Sequence, residues 1–177
     1  MSAASRTWDV YESPVGPLTL IAAGDGRLTG VFFPGRTRGL AETSRRPELF
    51  ADAVRQLEEY FGGERRRFEL RLELQGNAFQ RRVWDELARI PYGATLSYGE
   101  LARRIGQPGE ARDVGWAVGR TPVPILVPCH RVIGADGSLT GYGGGLQRKQ
   151  ALLDLEARVA TGKEPEPAWA LRQTQLV

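Results

Sequence analysis

The 177-residue chain has a single cysteine and a single histidine. One thiol excludes an intramolecular disulfide, and one imidazole beside it leaves a closed four-ligand zinc site without its usual donors. No metal and no other cofactor is expected. Lysine is almost missing, since only Lys149 and Lys163 stand among the 24 Lys and Arg. No apolar run approaches the roughly 20 residues that a membrane helix needs. The start, MSAASRTWDV, carries no apolar signal core, so the expected compartment is the cytoplasm. What is present suits a globular protein: 41% hydrophobic and 25% charged residues, in a chain long enough to bury a core without covalent staples.

The net charge of +3 is unevenly placed. Residues 79–150 hold ten Arg and Lys against six acids, while the flanking segments balance to within one charge. A polyanion would dock on that middle segment.

The first third reads as β. Trp8 to Glu12, Leu18 to Ala23 and Leu28 to Phe33 are short β-prone runs, separated by Pro-Val-Gly-Pro and by Gly24-Asp25-Gly26. Residues 34–47 read as a polar loop. Phe50, Val54, Leu57 and Phe61 then share a helical spacing, closed by Gly62-Gly63. Arg67 to Leu74 alternates strictly and predicts a half-buried strand. Beyond Gly76, Asn77 can cap a helix whose Phe79, Val83, Leu87 and Ile90 lie on one face, ending at Pro91. Ser97-Tyr-Gly-Glu100 has the spacing of a capping box and starts another helix. A short helix over 110–119 follows a Gly-containing turn, which together predict a helix-turn-helix. Three prolines in 121–133 forbid a helix interior or a central strand. A final helix over 146–158 carries Glu156.

The fold class is therefore α+β: a small sheet-and-helix N-terminal domain, then a helical C-terminal domain with a winged helix-turn-helix-like element. The expected domains are 1–76 and 77–160, with a tail over 161–177.

Cys129 and His130 are neighbours, preceded by Pro128 and followed by Arg131. A thiol becomes a useful nucleophile when a base or cation promotes its ionisation, and the base works best when a third group orients it. The residues alone leave inert packing of Cys129 open.

Pro128-Cys-His-Arg-Val132, within Pro122 to Ile133, resembles the active-site signature of the O6-alkylguanine-DNA alkyltransferases, the methylated-DNA-protein-cysteine methyltransferases. The resemblance extends through Ile90-Pro-Tyr-Gly93, Ser97-Tyr98, Leu139 to Leu146 and Arg148-Lys149. It implies direct-reversal DNA repair: a single-turnover transfer of the alkyl group from O6-alkylguanine in DNA to Cys129, with base flipping. O4-alkylthymine as a second substrate is left open. The resemblance implies His130 as base through water, Glu156 as its orienter, and Tyr98 as donor to the departing guanine. Val132, Tyr142, Gly143 and Gly144 would line the base pocket. Arg112 would fill the gap in the duplex, with Ala111, Ser97, Arg120 and Arg131 as further DNA contacts, and Thr121 as a structural residue. The N-terminal domain would be RNase H-like. The partner is double-stranded DNA carrying O6-alkylguanine, bound by a monomer, with cooperative assembly left open. The alternative is an alkyltransferase-like protein that binds the lesion without efficient transfer.

Three positions depart from the family's pattern. Thr121 stands where Asn is usual, and Asp113 and Trp116 replace small residues on the helix that would meet DNA. Either that helix docks differently, or Trp116 packs inside.

Overall fold

The computed structural model describes residues 5–36, 39–41 and 44–162. The chain divides into two compact units, Met1–Gln75 and Gly76–Val177. No described helix is long and apolar enough to cross a membrane.

The first unit is a three-stranded antiparallel meander, β1 (Thr7–Ser13), β2 (Gly16–Ala22) and β3 (Leu28–Phe32), in the order β1-β2-β3. The β1–β2 turn is only two residues long, and Gly16, which opens β2 straight after it, has a φ of 99°, which costs an L-residue with a side chain far more than glycine. Helix α1 (Ala51–Phe61) follows a 3-10 turn over Pro47–Phe50. Leu18, Leu20, Phe50, Leu57 and Tyr60 are wholly buried in this unit.

The alternating stretch from Arg67 to Leu74 is not a strand. It meets β3 at one backbone bridge, Leu28 to Leu72. Further along, the backbone of Glu69 is satisfied by a side chain: its N–H donates to Gln56 Oε1 at 2.8 Å and its carbonyl accepts from Gln56 Nε2 at 3.2 Å. Gln56 is 2% exposed, so a buried amide on α1 substitutes for the ladder that the sequence pattern predicts.

In the second unit, α2 (Ala78–Leu87) begins in a capping box between Asn77 and Gln80, and α3 (Tyr98–Arg104) begins in one between Ser97 and Glu100. Helix α4 (Ala111–Val118) completes the helix-turn-helix. Val83, Leu87, Leu101, Val114 and Ala117 bury the inward faces of these helices, and Trp84 Nε1 on α2 donates to the Ala117 carbonyl at 3.0 Å. A two-residue parallel pair, β4 (Leu96–Ser97) with β5 (Val132–Ile133), brings the start of α3 beside the segment after Cys129. Helix α5 (Leu146–Thr161) ends at Gly162, whose φ is 68°. From residue 163 onward the expected tail lies outside the described residues.

Candidate active site

Cys129, His130 and Arg131 form one 3-10 turn between the proline-rich segment and β5. All three are buried, because the turn is covered by α2 and α5. A charge here must find its partner inside the protein.

Glu156 supplies it. The carboxylate, 1% exposed on α5, accepts from His130 Nε2 at 2.6 Å and from Arg131 Nε at 2.6 Å and Nη2 at 3.1 Å. The Gly93 amide adds a contact at 3.3 Å. Arg131 completes its own bonding by donating through Nη1 to the Ile90 carbonyl at 2.7 Å. Burial alone would raise the Glu156 pKa, but His130 and then Arg131 outweigh it and hold the carboxyl well below the usual range. An ionised carboxylate only accepts hydrogen bonds, so Nε2 carries the imidazole proton and a neutral ring keeps its lone pair on Nδ1. That Nδ1 is buried and has no hydrogen-bond partner among the described residues.

Cys129 as a residue is 5% exposed. Burial pushes the Cys129 thiol up to about 11, against smaller opposing contributions from the Thr121 hydroxyl, the Lys149 charge and the backbone of Cys129 and Ile125. Burial thus favours the protonated thiol over the thiolate in the DNA-free protein. Ile125 has a φ of 74° and is the one described non-glycine residue with positive φ. A β-branched side chain is strained there, and its backbone serves the sulfur.

Tyr98, Tyr142 and Lys149 all interact electrostatically with Cys129. The Tyr98 hydroxyl donates to the Thr140 carbonyl at 3.1 Å, and Lys149 Nζ donates to the same oxygen at 2.9 Å. Burial first, and the Cys129 charge after it, raise the Tyr98 pKa. Burial, Cys129 and Glu156 raise that of Tyr142 further. Lys149 is wholly buried, and desolvation lowers its pKa to about 8 against the pull of Cys129. The loop from Gly141 to Gly145 closes through Gly145 N–H to the Tyr142 carbonyl at 2.9 Å and Arg148 Nη1 to the Gly144 carbonyl at 3.0 Å.

The structure thus gathers Cys129, His130, Glu156, Tyr98 and Tyr142, with buried Val132 and Gly144 in the same unit and Gly143 exposed beside them. Arg131 is a correction. Expected against DNA, it is 6% exposed and its guanidinium is committed to Glu156 and Ile90. Arg112 and Arg120 are exposed on or just past α4, Ala111 is half-buried at its start, and the Ser97 hydroxyl accepts from the Glu100 amide as a cap. Thr121 donates to the Val118 carbonyl at 2.8 Å. Trp116 does not pack inside; half of it is exposed. Sequence reasoning gave Lys149 only as a flanking match. Its signal was phase: Lys149 and Glu156 are seven apart, in register with buried Leu152 and Leu153 on the same helix. Among the described residues no group of three or more His, Cys, Asp or Glu could hold a metal ion.

Fold and site together define a two-unit protein whose C-terminal unit combines a helix-turn-helix with a one-cysteine reaction centre. A family model for the 6-O-methylguanine DNA methyltransferase DNA binding domain matches residues 78–158, and one for the ribonuclease-like domain of the same methyltransferase matches residues 7–74. The chain belongs to the 6-O-methylguanine DNA methyltransferase family. A Mycolicibacterium paratuberculosis protein named methylated-DNA--protein-cysteine methyltransferase is 55% identical over 149 residues, covering 83% of this chain and 90% of that one. A Methanosarcina acetivorans protein of the same name is 46% identical, covering 83% and 96%. The crystal structure of Mycobacterium tuberculosis O6-methylguanine methyltransferase superposes with a TM-score of 0.80 at 47% identity, covering 94% of this chain and 99% of that one. The crystal structure of Mycobacterium tuberculosis OGT in complex with DNA gives 0.80 at 50% identity, covering 86% and 94%.

Proposed function

We propose that this protein repairs DNA directly, by moving the alkyl group of O6-alkylguanine in a duplex onto its own Cys129, one turnover per molecule. The carrying observation is the buried chain of bonds from Glu156 to His130 beside the lone thiol. The thiol's proton passes to His130 Nδ1 through water while Sγ attacks the alkyl carbon. The Sγ–C bond forms, the C–O6 bond breaks, and its electron pair stays with the guanine, which Tyr98 protonates. Glu156 stabilises the imidazolium that results, as a fixed carboxylate should. Water does not cleave the resulting thioether at a useful rate, so the protein is consumed.

The alkylated guanine is reached by extruding its nucleotide, at an unstacking cost of a few kcal/mol that is smallest for a damaged pair. Val132, Tyr142, Gly143 and Gly144 line the base pocket in this reading. Arg112, with Ala111, Ser97 and Arg120, meets the DNA, and Thr121 ties α4 to the reactive segment. Residues 1–76 and 77–160 act as the two domains, and the protein works in the cytoplasm as a monomer. The presence of the acceptor thiol disfavours a protein that only holds lesions. Intact mass before and after incubation with a methylated-guanine duplex tests the reading. A gain of one methyl group is expected in the wild type and none in Cys129→Ala; an unchanged wild-type mass with folded protein overturns it.

A further inference from the structure

Helix α4 presents two unlike faces. Val114, Ala117 and Val118 are buried, whereas Arg112 and Trp116 are exposed, four residues apart, and Arg120 follows four residues later. The helical turn persists to that point, since Gly119 is right-handed and the Arg120 amide donates to the Ala117 carbonyl at 3.1 Å. Four residues advance a helix by about 6 Å with little rotation, so the three side chains form one stripe.

Trp116 is 50% exposed, although an indole is the largest apolar side chain and α4 has a buried face one residue away. What covers it is a cation: Arg120 Cζ sits 3.4 Å from the ring centroid, and Nη1 lies 3.5 Å from the Trp116 carbonyl. A guanidinium held over a ring face keeps N–H donors available for other partners. Neither Arg120 nor Arg112 has an acidic partner among the described residues, and both belong to the segment that carries the chain's excess positive charge. The stripe is therefore an oriented cation, an exposed aromatic surface and a second free cation, on the helix that the proposed function directs toward DNA.

We propose that the Trp116–Arg120 stack is a DNA-docking element of its own, in which the indole holds Arg120 ready for a backbone phosphate and lays its exposed edge against the adjoining sugar. The inference rests on the proposed function for its partner. Pre-orientation explains why a tryptophan belongs at a solvent-facing position. An arginine already fixed by stacking loses less side-chain freedom when it meets a phosphate, and aromatic contact with nucleotides is tolerant of sequence.

The test compares wild type, Trp116→Ala, Trp116→Phe and Arg120→Ala for affinity to an undamaged duplex over a range of salt. In parallel, alkyl transfer to Cys129 is measured from a methylated duplex and from a free O6-alkylguanine base. Trp116→Ala should weaken duplex binding five- to tenfold and slow duplex transfer in step at subsaturating DNA, with Trp116→Phe restoring part of both. Arg120→Ala should lower the slope of log affinity against log salt by about one, the loss of one phosphate contact. In both Trp116 variants, transfer from the free base, which makes no backbone contact, should hold its wild-type rate. Duplex affinity of Trp116→Ala within twofold of wild type overturns the proposal, and so does a parallel loss with the free base, which would mark a structural role. If the wild type transfers from neither substrate, the proposed function fails, while the binding comparison still decides this inference.

Discussion

Replacing Glu156 by glutamine keeps the shape of the side chain and removes the one negative charge shared by His130 and Arg131. In the wild type, both carboxylate oxygens are used, by two contacts of 2.6 Å, one of 3.1 Å and the Gly93 amide. A glutamine amide has one acceptor oxygen, and its NH2 group must face either the guanidinium or the imidazole donor. Arg131 stays charged and is 6% exposed. Breaking a buried pair by removing one partner costs about 3–5 kcal/mol, because an uncompensated charge is left inside. With a urea m-value of about 2 kcal/mol/M, the unfolding midpoint should fall by about 1.5–2.5 M. Urea unfolding at neutral pH, followed by circular dichroism, measures it. A loss below about 1 kcal/mol would refute the reasoning, since a pair that behaves so is not effectively desolvated.

The same change has a pH signature of fixed sign. Glu156 is held below its unfolded value in the folded state, so the unfolded chain binds the proton first as acid is added. Its contribution is fully present above the ordinary carboxylate range and is lost as pH falls through that range toward the depressed folded value. Wild-type stability should therefore show an acid limb that Glu156→Gln lacks in proportion. Transfer should slow by a factor within the roughly 10²–10⁴ that a positioned general base supplies, because the imidazole loses the acceptor that fixes its tautomer.

How far this site could be read from the residues depended on the range of the information each carries. Asn77, Gln80, Ser97 and Glu100 announce their helices because capping is settled within four residues. The hairpin likewise follows from alternation and Gly16. Arg67–Leu74 alternates as well, yet no described strand flanks it beyond one bridge, and the buried Gln56 that takes its place lies on α1, out of reach of any local pattern. The Cys129-His130 motif located the reaction centre but not its ionisation. The thiol's pKa is shifted by burial, against donors from Thr121 and Ile125 and the charge of Lys149, residues four to twenty away in the chain. Arg131 was misplaced for the same reason: the resemblance offered it as a DNA contact, but the chain returns Glu156 from α5 to meet its guanidinium. Trp116 needed the three-dimensional position of Arg120 above its ring before its exposure made sense.

Labelling tests the resting state of the sulfur. With a pKa of about 11, only about one thiol in ten thousand is ionised at pH 7, so iodoacetamide should modify the native protein far more slowly than the urea-unfolded chain, with a rate that climbs about tenfold per pH unit up to that value. A native rate matching the unfolded one would contradict it. Lys149 has a linkage of the same sign as Glu156 in a higher pH window: its folded pKa of about 8 lies below the unfolded value, so the unfolded chain holds the proton longer and wild-type stability should rise with pH from about 8 toward the ordinary lysine range. Lys149→Met should lose that rise, and it should slow transfer at least tenfold by releasing the Thr140 carbonyl that also anchors Tyr98. Asn77→Ala removes an N-cap acceptor and should cost about 1 kcal/mol in urea unfolding with transfer unaffected. Thr121 offers the sharpest contrast, because its hydroxyl has one proton, which lies on the Val118 carbonyl at 2.8 Å while the Cys129 sulfur is also within its reach. As the sulfur ionises it becomes the better acceptor, and the proton turns toward it. Thr121→Val keeps the volume and deletes that donor, so its rate–pH profile should move to higher pH and Thr121→Ser should bring it back. Profiles that superimpose for all three proteins would mean the hydroxyl serves only the end of α4.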